Sequence, residues 1–263
     1  MAVRIALIIA MESERVHLDS LMPGWKPVEH PVWPTLRNQD VVCITSGIGM
    51  VSAAAATEHA ISTYQPSMVM NFGCVGSHLR ELFPGDVVIG DRMIHQGRMR
   101  FAPDGTIIPF AFGFHVPGEI EQVTDVSTDQ TLRTLAEEAA TEIALPDWPE
   151  DDRLPAQPVR SPLVRTGTVS SGDIWLQNPE LIDAAHARTG SLCEDMEAAG
   201  IAQICTLYGL PFLTVKDISN SEFHQVTEFE GTTSALPSHE LGLRSAMIVS
   251  AVVEKLHANN DGT

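Results

Sequence analysis

Short apolar runs recur along the chain with helix-like stretches between them. The runs are VRIALIIA (3–10), DVVCIT (40–45), SMVMNFG (67–73), GDVVIGD (85–91), VRTGTVSS (164–171) and PFLTVKDIS (211–219). Their brevity and their Val and Ile content predict strands. Met50 to Tyr64 and Met196 to Tyr208 are rich in Ala with apolar residues at helical spacing, and Ser238 to His257 is a longer amphipathic stretch, so helices are predicted there. Strands alternating with helices predict an α/β fold with a mixed or mostly parallel sheet.

Two segments break this pattern. Met93 to Glu119 gathers Phe101, Phe110, Phe112 and Phe114 among Gly and Pro. A loop that apolar must cover a ligand or a neighbouring subunit. Pro146 to Pro162 is rich in Pro and acid and reads as a surface insertion of low functional content. No internal repeat or linker divides the chain. At 263 residues and 44% hydrophobic content it sits at the upper end of what one core holds, so residues 1–263 are expected to form a single domain.

Charge narrows the partners. The chain has 16 Lys and Arg against 34 Asp and Glu, a net charge of −18, which repels a phosphate backbone and argues against nucleic acid. No apolar run approaches the roughly 20 residues that span a bilayer. The amino-terminal MAVRIALIIAMESER ends its apolar part in charges, not at a small-residue cleavage site. A soluble cytoplasmic protein is therefore expected. Cys43, Cys74, Cys193 and Cys205 are far apart and form no CxxC pair, so they read as reduced and mostly buried.

Candidate chemistry sits where predicted strands end. In AMESER, Glu12 and Glu14 suit either the start of a helix or a base that activates water. In SGIGM a tight glycine turn lets backbone N–H groups approach an anion or a ribose oxygen, and NFGCVGS reads as a second such turn. In SGDIW, Trp175 offers a flat face, though tryptophans more often belong to the core. EDMEAAGIAQIC places Glu197 inside an apolar stretch, where a carboxylate needs a partner such as a sugar diol. VKDISN carries Lys216, Asp217, Ser219 and Asn220 at the end of an apolar strand, which raises the question of what Asn220 touches.

Taken in order, AMESE, SGIGMVSAAAA, NFGCVG, SGD, EDMEAAGIAQIC and VKDISN resemble the purine nucleoside phosphorylase and uridine phosphorylase superfamily. They are most similar to its 5′-methylthioadenosine/S-adenosylhomocysteine nucleosidases. The resemblance runs from Val3 to Gly90 and from Val164 to the last helix, with DMEAAGIAQ its most specific part. It implies a single-domain α/β/α sandwich around a mixed, partly barrel-like sheet. It also implies a homodimer whose partner loop lines the active site, and chemistry that requires no metal or organic cofactor.

The same resemblance implies roles for individual residues. Glu14 would activate water, and Glu197 with Met196 would hold the ribose. Cys74, where Ser is usual, would lie near the ribose, and Gly76 would bind the substrate. Trp175 and the backbone of Leu176 would frame the purine, in place of the usual Phe and Ile. Asn220 stands where an Asp usually protonates N7, and Asp217 is an additional acid that would replace that proton or orient Asn220 from the other face of the strand. The superfamily's phosphorylases are expected to carry a glycine-rich turn and an arginine at AMESER, whereas a carboxylate there favours water over phosphate. The reading is a nucleosidase for a 5′-modified purine nucleoside. The alternatives are a 6-oxopurine nucleosidase of the futalosine hydrolase kind, a phosphorylase, and a non-catalytic storage relative, the last opposed by the presence of both Glu14 and Glu197.

Overall fold

A computed structural model describes residues 4–116, 119–225, 227, 229–230, 233–234 and 239–261. Ten strands form one sheet: β1 (Ile5–Ile9), β2 (Lys26–Val28), β3 (Thr35–Asn38), β4 (Val41–Thr45), β5 (Met68–Ser77), β6 (Val87–His95), β7 (Asp125–Ser127), β8 (Val164–Ser171), β9 (Ser191–Asp195) and β10 (Phe212–Asn220). The helices are α1 (Glu12–Arg15), α2 (Leu18–Leu21), α3 (Met50–Tyr64), α4 (Gln130–Glu142), α5 (Pro179–Thr189), α6 (Ala198–Leu207) and α7 (Leu243–Asp261).

The sheet closes on itself. β5 pairs with β10, β10 with β6, β6 with β8, β8 with β9, and β9 returns to β5, a barrel of five strands. The length of β5 makes this possible. Its first residues, Met68 to Asn71, pair with β1, which leads out through β4, β3 and β2 as an open wing, while Gly76 and Ser77 pair with β9. Between these two partnerships the edge of β5 is free for a side chain, and the Cys74 N–H is the group that uses the gap.

Alternation along β1 sorts the core into two layers. Ala6 and Ile8 face the small-residue surfaces of α3 and α6, with Ala53, Ala56, Ala198 and Ala202. Ile5, Leu7 and Ile9 face α4 and α7, with Leu132, Ala136, Ile248 and Val252. Strand periodicity of two thus gives the α/β/α layering, and alanines let α3 and α6 approach closely. The helix ends obey local chemistry: Asn178 caps α5 ahead of Pro179, and Gly190 closes it at φ +70°.

Several elements differ from the pattern-based expectation. NFGCVGS is not a turn, because β5 continues through it to Ser77. Helix α6 begins at Ala198, leaving Met196 and Glu197 in the connection from β9. β9 itself, α4, α5 and the β2–β3 hairpin were not expected. The Phe-rich segment carries a hairpin (Met99–Phe101 with Ile107–Pro109) and a second pair (Phe112–Val116 with Glu119–Val123), with Phe101 and Phe110 exposed. Residues 146–162 lie at the surface but are anchored: Trp148 is buried, Arg244 donates to the carbonyls of Pro146 and Asp147, and Arg160 forks onto Asp86. Of the predicted Ser238 to His257 helix, Ser238 lies outside the described residues, and the helix itself begins at Leu243. Among the described residues no helix is long and apolar enough to cross a membrane.

Candidate active site

A cavity of about 300 Å³ opens where β1, β5, β9 and β10 end. Its walls include Glu14, Cys74, Gly76, Trp175, Met196, Glu197 and Asn220, seven of the nine residues singled out from the sequence. Leu176 stands just behind Trp175, its N–H donated to Glu194 at 2.8 Å. Asp217 does not reach the cavity. Its carboxylate points to the opposite face and accepts from Ser245 Oγ at 2.8 Å, so it is removed from the candidate catalytic groups. The expected alternation along this strand also fails. A register shift between Ile218 and Asn220 breaks it, so Ser219 and Asn220 both line the cavity.

Glu14 is held by backbone. It follows β1 immediately, on the one-turn helix α1, and turns back so that Oε2 accepts from Met11 N (3.1 Å) and Oε1 from Cys74 N (2.8 Å). Gly73 makes room: at φ +156°, a Cβ there would lie 2.5 Å from Glu14 Oε1. Burial raises the pKa of Glu14, opposed by the charge of Lys216 and the Cys74 and Met11 hydrogen bonds. Glu14 is thus a stronger base than a solvated carboxylate. The Cys74 thiol is pushed up by burial and by the neighbouring Glu14 and Asp217 carboxylates, which leaves it a poor nucleophile.

Glu197 precedes α6 as its N-cap residue. Its Oε1 accepts from Gly49 N at 2.8 Å and Oε2 from Met196 N at 3.3 Å. Burial, with Asp195 nearby, pushes its pKa up to about 7. The neighbouring Met50 N donates to Asp173 Oδ1 at 2.9 Å. The glycine turn before α3, a candidate anion site in the sequence, therefore spends these two N–H groups on the protein's own carboxylates.

Behind the cavity lies an ion pair that pattern reasoning missed. Lys216 Nζ is 2.8 Å from Asp195 Oδ2, both side chains being buried. Burial works against the charge of Lys216, but Asp195, Glu197 and Glu14 outweigh it and hold its pKa above the usual value. Asp195 also accepts from Ser171 Oγ and from Ala198 N, fastening β8 and β9 to the start of α6. The signal was available, since a lysine that directly follows the apolar run PFLTV must have a partner if the strand stays buried.

Four carboxylates, Glu14, Glu194, Asp195 and Glu197, line the cavity, and no Arg, Lys or His does so among the described residues. Arg15, the arginine of AMESER, turns away to Glu12 (2.7 Å) and Asp19 (2.8 Å). Such a site attracts developing positive charge and repels phosphate.

A closed barrel within an α/β/α sandwich, with an acid-lined cavity at the strand ends, defines a nucleoside phosphorylase-type fold. Residues 4–254 match the model of the phosphorylase superfamily, and the chain belongs to that family. It is 31% identical over 186 residues to the 5′-methylthioadenosine/S-adenosylhomocysteine nucleosidase of Geobacillus sp. strain WCH70, covering 70% of this chain and 69% of the relative. It is 29% identical over 262 residues to the enzyme of that name from Bacillus subtilis, covering 97% and 100%. In three dimensions it matches the Neisseria meningitidis nucleosidase of the same name, solved with methylthio-immucillin-A. The TM-score is 0.72 at 25% identity, covering 96% of this chain and 99% of the other.

Proposed function

We propose that the protein hydrolyses the N-glycosidic bond of a 5′-modified purine nucleoside of the methylthioadenosine/S-adenosylhomocysteine type. The observation that carries this reading is the pairing of a buried, backbone-held Glu14 with a cavity to which, among the described residues, no cationic side chain is offered for phosphate. The names of the relatives support the same reaction.

Departure of the purine leaves an oxocarbenium-like sugar. The carboxylates around the cavity stabilise that charge, most strongly in a site from which water is largely excluded. Glu197 anchors the ribose hydroxyls, Glu14 takes a proton from the attacking water, and Trp175 lies along the purine. Leu176 backs it through the backbone, Gly76 lies under the base between Glu194 and Asn220, and Cys74 and Met196 complete the sugar side. Asn220 donates a hydrogen bond to the departing base.

The same reading makes the protein a homodimer. Ile48, Ile174 and Trp175 line the cavity yet remain exposed at its rim, and the Phe-rich hairpin adds exposed Phe101 and Phe110, apolar surface that a second subunit covers. A cytoplasmic location accords with four free cysteines. The test is incubation of the purified protein with methylthioadenosine, S-adenosylhomocysteine and inosine, with and without phosphate. Free base and free sugar from the 5′-thio nucleosides are expected at equal rates in both conditions. Absence of cleavage, or cleavage of inosine alone, contradicts the proposal.

A further inference from the structure

The base end of the cavity presents an unusual pair of groups. Gly76 on β5 pairs across the sheet with Glu194 on one side and with Asn220 on the other. A Cβ at Gly76 would lie 3.4 Å from Asn220 Nδ2 and 3.7 Å from Glu194 Cγ, so both side chains converge over the glycine. Both line the cavity.

Each of the two is locked from behind. Glu194 Oε1 accepts the Leu176 N–H at 2.8 Å, and Oε2 lies 3.2 Å from Nε2 of the buried His78, whose Nδ1 is 2.7 Å from Ser191 Oγ. Both carboxylate oxygens keep a lone pair for a ligand donor. Asn220 Oδ1 accepts from Ser219 Oγ at 2.9 Å, and its Nδ2 donates to Glu222 Oε1 at 2.9 Å. Glu222 is buried and also accepts from Thr227 Oγ1 (2.6 Å) and Thr227 N (2.8 Å). A carboxylate serving three donors has no hydrogen to give the Asn220 carbonyl. The amide therefore cannot turn over, and its second N–H remains for a ligand.

Building on the nucleosidase reading above, we infer that Glu194 and Asn220, the latter oriented by Glu222, select a 6-oxopurine over a 6-aminopurine. A 6-oxopurine offers N1–H to Glu194 and accepts at O6 or N7 from Asn220, leaving every group paired. A 6-aminopurine can give an amino hydrogen to Glu194, but its N1 lone pair then faces the same carboxylate, because the Leu176 N–H that would serve it is already taken. Unmet polar groups in a buried site discriminate more strongly than shape does. The leaving group fits as well. Asn220 has no proton to transfer, whereas a departing 6-oxopurine spreads its negative charge over O6 and the imidazole ring and needs only a hydrogen bond, taking its proton later from water.

The experiment compares 5′-methylthioinosine with 5′-methylthioadenosine, which share the same 5′ group. Wild type is expected to show a kcat/KM at least tenfold higher for the inosine compound, about 1.4 kcal/mol of differential transition-state binding. Asn220→Asp should shift the ratio toward the adenosine compound by tenfold or more. Glu222→Gln, able to donate to the Asn220 carbonyl and release the amide, should shift it the same way while its melting temperature reports folding. A wild-type preference for methylthioadenosine, or a ratio unmoved by both substitutions, overturns the inference and leaves the nucleosidase reading standing. Cleavage of neither compound overturns both.

Discussion

Lys216 and Asp195 form an ion pair 2.8 Å long, sealed behind a cavity lined by Glu14, Glu194, Asp195 and Glu197. The pair cancels one negative charge and leaves the others facing the ligand. Removing one partner of a buried pair strands the other, at a typical cost of about 3–5 kcal/mol. Lys216→Met should lose about that much stability in denaturant unfolding, and a loss below about 1 kcal/mol would show that the pair is unimportant to the fold.

Glu14→Gln preserves an oxygen to accept from Cys74 N but removes the base. Turnover should fall about 100-fold or more, in the range for a positioned general base, while a cooperative thermal melt shows that the fold survives loss of the acceptor for Met11 N. Near-normal turnover takes Glu14 out of the mechanism.

Asp217 connects burial to pH-dependent stability. Its pKa is raised from 3.8 to about 7, mainly by burial and with the Glu14 charge adding to the rise, against the Ser245 hydrogen bond and the nearby Arg244. The folded state therefore binds a proton that the unfolded chain releases near pH 4. The resulting stability is fully present below that pH and is lost as pH rises through about 7. Asp217→Asn remains neutral throughout, so it should equal or exceed wild type in stability at pH 8, with the advantage shrinking toward pH 5. Thermal melts across that range check this, and parallel profiles for the two proteins would refute it.

Four of the five barrel strands, β5, β6, β8 and β10, were legible as short runs carrying Val or Ile, and α3 was legible from its alanines. β9 was not, since SLCED is short and ends in acids that resemble a helix start. Glu14, Glu197 and Asn220 could be named because each stands in a motif at a strand end. Alternation placed Asp217 correctly on the face away from Asn220 and failed only at Ser219, past the register shift. Asp217 stood among the candidate acids because polarity alone does not say what a buried acid is paired with, here Ser245. Glu222 gave no signal, because SNSEFH has no periodicity and its partner, Thr227, lies across a turn.

The exposed rim at Ile48, Ile174 and Trp175 predicts association. Light scattering should give about twice the 28.5 kDa chain mass. A fully active monomer would contradict the homodimer and any role for a partner at the cavity mouth.

The central claim is that water, not phosphate, attacks the sugar. Turnover of methylthioadenosine or methylthioinosine in heavy-oxygen water, followed by mass spectrometry of the sugar, tests it most directly. The account predicts heavy oxygen at C1 of the released sugar and a rate indifferent to added phosphate. A sugar 1-phosphate product, or a rate that requires phosphate, would contradict it.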